Sequence, residues 1–218
     1  RALKYILSQC KEDGSIHGGI LQNYNTSICL SALSRVNNMP QAATAIAKAQ
    51  AYLKGMQWKD QPGPDGKPIT TNHPFYGGSG YGKHGRPDMS NTQFMLQGLH
   101  DSGLNCNDEA FQRAMVFISR CQGIESNDLL KDKIVLDGGF IYATTKNKNN
   151  LDKPETKADT ITVDDKDTGK PVSQLRTYGS ITYAGFKSYL YANLKRDDPR
   201  VIAAYNWIRD NYTLDQNP

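Results

Sequence analysis

Three carboxylates in four residues, Asp164-Asp165-Lys166-Asp167, form the densest group of chemistry-bearing side chains in the chain. They lie beside Lys166 and Gly169 in a polar stretch, where a solvated turn or an opportunistic calcium-type loop is the plainer reading. Asp164, Asp165 and Asp167 stand as the catalytic candidates on composition alone. His73 and His84 share one loop, but no cysteine is placed to complete a zinc set with them. The four cysteines, Cys10, Cys29, Cys106 and Cys121, have no C-x-x-C spacing, which argues against a zinc knuckle or a thioredoxin-like site. Cys29 lies in an apolar helical run and reads as a small buried hydrophobe. Bridges from Cys10 to Cys29 or Cys106 to Cys121 stay open for an exported protein. Gly80-Tyr81-Gly82-Lys83-His84-Gly85 matches G-x-G-x-x-G by letter, yet a proline-rich loop precedes it instead of a strand, so its glycines read as turn formers. No G-x-S-x-G, H-E-x-x-H or P-loop string occurs. No metal or cofactor is therefore expected.

The elements that would hold these groups are helices. With 218 residues and 38% hydrophobic content, the chain has the composition of a soluble globular protein. Its net charge of +4 is spread among mixed charges, which leaves no nucleic-acid footprint. No run reaches the roughly 18 to 20 apolar residues of a membrane span. The chain opens in helical register at Arg1-Ala2-Leu3 without a methionine, so a piece of a longer or processed chain is expected. Leu3, Ile6 and Leu7 begin a first helix, and Asn25, Thr26 and Ser27 are N-cap candidates for a second. The alanine-rich run 41–57 is the clearest helix. Further helices follow Asn91, Asn107-Asp108-Glu109, Ser180 and Asp197-Asp198-Pro199, the last with proline at its first turn. Two insertions interrupt the pattern: 59–76, rich in proline and glycine, and 146–173, polar, exposed and mobile by composition.

A recurrence organises the rest. Outer helices end Tyr5-Ile6-Leu7-Ser8-Gln9, Tyr52-Leu53-Lys54-Gly55-Met56-Gln57, Phe117-Ile118-Ser119-Arg120-Cys121-Gln122 and Trp207-Ile208-Arg209. Glycine turns then lead to Asn25-Thr26-Ser27, Asn91-Thr92-Gln93 and Ser180-Ile181-Thr182. Such repetition signals stacked helical hairpins, each buried only by its neighbours.

This pattern resembles the prenyltransferase and squalene-cyclase repeat, whose signature is an aromatic helix end, a glutamine and a glycine-rich turn. The resemblance spans nearly the whole chain outside the two insertions. It implies one all-α domain over 1–218, an α/α toroid of which about seven helices supply a partial ring. The cyclases' acidic Asp-x-Asp-Asp motif finds only Asp164, Asp165 and Asp167, in another spacing. At the zinc-holding places of protein prenyltransferases stand Met89, Asn91 and Gly179, with Asp88 one position out of register. In lyases of a related toroid, Arg86, Asp88 and Arg176 would take basic and acidic roles, although an arginine at a helix junction more simply binds carbonyls or an aspartate.

The resemblance therefore implies a ligand-binding or scaffold protein without the recognised catalytic motifs, the alternative being a divergent cyclase-like or lyase-like enzyme. The expected ligand is apolar or isoprenoid-like. It would meet Tyr24, Asn25, Tyr81, Arg86, Asp88, Asn91, Thr92, Arg176, Tyr178, Ser180 and Tyr183 near the inner-helix starts. A protein partner or further chain would complete the ring. The family and the even cysteine count lean toward export.

Overall fold

A computed structural model describes residues 1–82, 85–164 and 168–218. Among these residues there are seven α-helices: α1 (Ala2–Ser8), α2 (Gln22–Leu33), α3 (Pro40–Met56), α4 (Met89–Asp101), α5 (Glu109–Arg120), α6 (Gly179–Tyr191) and α7 (Pro199–Asn211). The chain is mostly helical but not all-α. Within the polar insertion, β1 (Thr160–Asp164) pairs antiparallel with β2 (Pro171–Leu175), Thr160 opposite Leu175 and Val163 opposite Val172. The β-branched residues Thr160, Ile161, Thr162 and Val163 suit this pairing, which composition averaged over the whole insertion conceals. No described helix is long and apolar enough to cross a membrane.

The helices form two layers. α2, α4 and α6 pack in succession; α3 lies against α2 and α4, α5 against α4 and α6, and α7 against α6. The principal core runs between the layers through Leu30, Leu53, Leu96, Phe111, Phe117, Phe140 and Tyr189. The 59–76 insertion has a small core of its own, Trp58, Ile69 and Phe75.

Local chemistry sets the helix starts. Asp88, Asp108 and Asp198 accept from the backbone N–H groups of Asn91, Ala110 and Arg200, and so cap α4, α5 and α7. α2 differs from expectation: it begins at Gln22 after Leu21 in a left-handed conformation (φ 49°), so Asn25, Thr26 and Ser27 lie inside the helix.

Thr26 shows why that threonine recurs. Its Oγ1 accepts from the N–H of Ile16 at 2.9 Å, as Thr92 does from Ser79 at 3.0 Å and Thr182 from Phe140 at 3.0 Å. Each threonine ties α2, α4 or α6 to the glycine turn before it. The turn in its part meets α3, α5 or α7. Gly77 (φ 80°) and Gly138 (φ 91°) are left-handed, and a Cβ on either would fall 1.8 Å from the Arg113 carbonyl oxygen or 2.5 Å from that of Ala203. Only glycine fits such an approach.

Two buried glutamines complete the tie. Gln57 Nε2 donates to the carbonyls of Gly77 and Ala110, both at 2.9 Å. Gln122 Nε2 donates to those of Gly138 (3.0 Å) and Arg200 (2.9 Å), and its Oε1 accepts from the Tyr189 hydroxyl at 2.7 Å. Cys10 holds the matching place in the first turn, whose glycine, Gly14, abuts the Lys48 carbonyl. Replacing Gln122 by Leu strands the buried Gly138 carbonyl and Tyr189 hydroxyl, so we expect a loss of about 1–3 kcal/mol or more in urea unfolding. Gln9→Ala, at a residue whose amide donates only to Ser8, should fall within experimental error.

Candidate functional site

The site lies at the start of α4. Asp88 caps that helix with its side chain almost wholly withdrawn from solvent, 1% exposed. Its Oδ1 accepts from the Asn91 N–H at 2.9 Å, and Asn91 Nδ2 donates to both carboxylate oxygens at 3.1 and 2.9 Å. Burial nevertheless raises the Asp88 carboxyl above the ordinary carboxylate range, against the lowering effects of Asn91, Arg86 and Tyr142. A buried acid that tends to keep its proton is the result.

Arg86, two residues earlier, reaches across to the polar insertion. Its NH1 donates to the Thr145 carbonyl at 2.8 Å and its NH2 pairs with Glu155 Oε2 at 3.0 Å. Tyr142 lies between: the Arg86 guanidinium stands 5.4 Å from its ring centre and the Lys157 ammonium 4.7 Å, while Lys157 also pairs with Glu155. The Tyr142 hydroxyl interacts with Asp88 and with Tyr81, and burial followed by the Asp88 charge pushes it well above the usual phenol range. The buried Cys121 thiol and the Tyr178 hydroxyl are pushed upward by the same two causes in the same order. All three groups thus lie within electrostatic reach of one carboxyl.

Three fully buried side chains in this neighbourhood carry an oxygen with no hydrogen-bond partner among the described residues: Ser79 Oγ, Asn91 Oδ1 and Thr145 Oγ1. Each belongs to the cluster by contact. The Ser79 carbonyl accepts from the Asp88 N–H, Asn91 holds the carboxylate, and the Thr145 carbonyl accepts from Arg86. Beside them stands an aromatic wall: Tyr24 meets Phe94 edge-on with centres 4.8 Å apart and Tyr81 at 6.5 Å.

Of the residues singled out from sequence, Tyr24, Tyr81, Arg86, Asp88, Asn91 and Tyr178 come together here. Thr92 serves the fold: its hydroxyl donates to the Asp88 carbonyl and accepts from Ser79. Asn25 donates to the Ile20 carbonyl. Arg176 is exposed, its carbonyl taken by Thr156, and Ser180 is exposed beside Asn217. Tyr183 faces outward from α6. Asp164 is exposed at the end of β1, opposite Pro171, whereas Asp165, Asp167 and His84 lie outside the described residues. His73 accepts from the Phe75 N–H through Nδ1. Among the described residues all four cysteines are free, and no three His, Cys, Asp or Glu side chains gather as metal ligands.

Sequence reasoning did not select Tyr142, Glu155 or Lys157. A signal for Tyr142 was present: it stands four residues after Gly138, as Tyr81 stands four after Gly77. The chain matches no protein-family model, no curated protein and no solved structure.

Because the folded carboxyl holds its proton to higher pH than an unfolded aspartate, ionisation of Asp88 should cost folding stability as the pH rises from about 4 through the raised value. Asp88→Asn cannot ionise and should lack that loss. Urea unfolding of both proteins across a pH series should show the wild type falling relative to the variant over that window; parallel profiles would remove the claim that Asp88 is a destabilised acid.

Proposed function

We propose that the chain is a repeat module of the prenyltransferase and squalene-cyclase type, an arc of an α/α toroid that binds a small ligand at its inner-helix starts. The ligand is amphiphilic, with an isoprenoid-like body along Tyr24, Tyr81 and Phe94 and a polar head toward Asp88, Asn91, Tyr142 and Arg86. The observation that carries this reading is that three buried side-chain oxygens without a partner among the described residues belong to Ser79, Asn91 and Thr145, residues bonded through other atoms to Asp88 or Arg86. Buried polar atoms cost stability unless something satisfies them, and their concentration at one place favours a polar group bound there. The Asp164 cluster has no part in it.

The threonine and glycine contacts repeated at three turns, and the glutamine contact repeated at two of them, support the toroid reading. In that reading further polypeptide completes the ring. A second reading, a divergent enzyme of the same fold, is favoured by one observation: the proton-retaining Asp88 contacts Tyr142, which contacts the exposed Tyr81, a hydroxyl path from solvent to a buried acid.

Titration with a fifteen-carbon prenyl alcohol, followed by intrinsic fluorescence, tests the binding reading. Wild type and Asp164→Asn should bind alike, and Tyr142→Leu or Asp88→Ala should weaken binding by tenfold or more. Absence of binding by the folded wild type, or equal affinity in all four proteins, would overturn it.

A further inference from the structure

We infer that the outer flank of α6 and α7 docks the free flank of α2 in a second copy of this chain, head to tail. The inference rests on the repeat reading of the fold proposed above and not on the ligand, so either can fail while the other stands.

The argument starts from matched positions. Thr26, Thr92 and Thr182 make the same bond, and counting one residue on from each gives Ser27, Gln93 and Tyr183. Ser27 and Gln93 are 1% and 6% exposed, but Tyr183 is 42% exposed. Ser27 is covered because Gly98 of the next inner helix lies against it, so close that a Cβ on Gly98 would stand 2.8 Å from the Ser27 carbonyl oxygen. The outer layer repeats the contrast. Lys48, Arg113 and Ala203 abut the three turn glycines, and two residues beyond them stand Gln50, Met115 and Tyr205. Gln50 donates to Ser102 at the end of α4, and Met115 is 6% exposed, whereas Tyr205 is 54% exposed. With Phe186, Leu190, Val201, Ile202 and Arg196, Tyr205 lines a groove of about 480 Å³. This is the face that the first two hairpins bury under their successors.

The same register names what fits there. Gly98 corresponds to Ser188 on α6 and to Ala32 on α2, so the close-approach position is small in all three inner helices. Ala32 is exposed, as is Ile28, the counterpart of the Phe94 that packs on Tyr24. Val36 corresponds to Ser102, the residue that Gln50 meets. α2 of a second copy and the turn that follows it thus offer Ala32 to Tyr183 and Val36 to Tyr205, an apolar edge for an apolar groove. One element must give way. α1 matches the second halves of α3, α5 and α7 through Tyr5, Tyr52, Phe117 and Trp207, and in the assembly it yields its place to α7 of the other copy. α1 has no fully buried residue, and the Leu3, Ile6 and Leu7 contacts it gives up on the core are those that α7 of the other copy would replace.

Light scattering over a concentration series tests this with two variants at exposed sites, each first checked for wild-type circular dichroism. Tyr183→Glu/Tyr205→Glu blocks the α6 and α7 flank; Ile28→Glu/Ala32→Glu blocks the α2 flank. We expect wild type to associate with a mass of at least two chains, each variant alone to be monomeric, and an equimolar mixture of the two to recover a dimer through the one intact interface. A wild type that stays monomeric at every concentration would overturn the inference. So would an α2-flank variant that still dimerises by itself, which would mean that the α6 and α7 flank pairs with its own kind.

Discussion

The buried tie between a glycine turn and the next outer helix is the constraint on which the rest depends. Gly77 and Gly138 bring the turn backbone against a helical carbonyl, and Gln57 and Gln122 bind that same helix and turn together, each amide donating to one turn carbonyl and to one carbonyl in the first turn of α5 or α7. Each hairpin is thereby fixed in angle and depth against the next. The threonine bonds then hold the inner helices to the same turns, so the starts of α4 and α6 are placed by contacts made at both layers.

That placement creates the environment of Asp88. The carboxyl caps α4 as an aspartate should, but it lies buried with the turn residue Ser79 on its backbone N–H and the buried Asn91 on its oxygens. Desolvation outweighs the bonds from Asn91, and the acid is left holding its proton more tightly than an exposed one. The insertion adds Glu155, which pairs with Arg86, while Tyr142 just before it links the acid to the exposed Tyr81. A polar cluster beside an aromatic wall follows from these few contacts.

Helices and turns were legible in the sequence because they obey local rules. The alanine run of α3, the aspartates before α5 and α7, and the spaced glycine turns all signal structure within a few residues of themselves. The start of α2 was misplaced because Leu21 adopts a left-handed conformation that its side chain does not advertise. The β-hairpin was missed because its strands are short and set in charged, polar surroundings. The site was half legible. Arg86, Asp88 and Asn91 sit in one stretch, but Glu155 and Lys157 reach them only through the tertiary fold, from a segment whose composition suggested nothing but solvent. Arg86 does bind a carbonyl, as an arginine at a helix junction should, and its second contact is the one that composition could not reveal.

A crystal structure of the protein grown with a prenyl alcohol tests the central claim most directly. The account predicts difference density along Tyr24, Phe94 and Tyr81, with the hydroxyl within hydrogen-bonding distance of Asp88, Asn91 or Tyr142. Density seated elsewhere on the molecule, or an unchanged site at saturating alcohol, would contradict it.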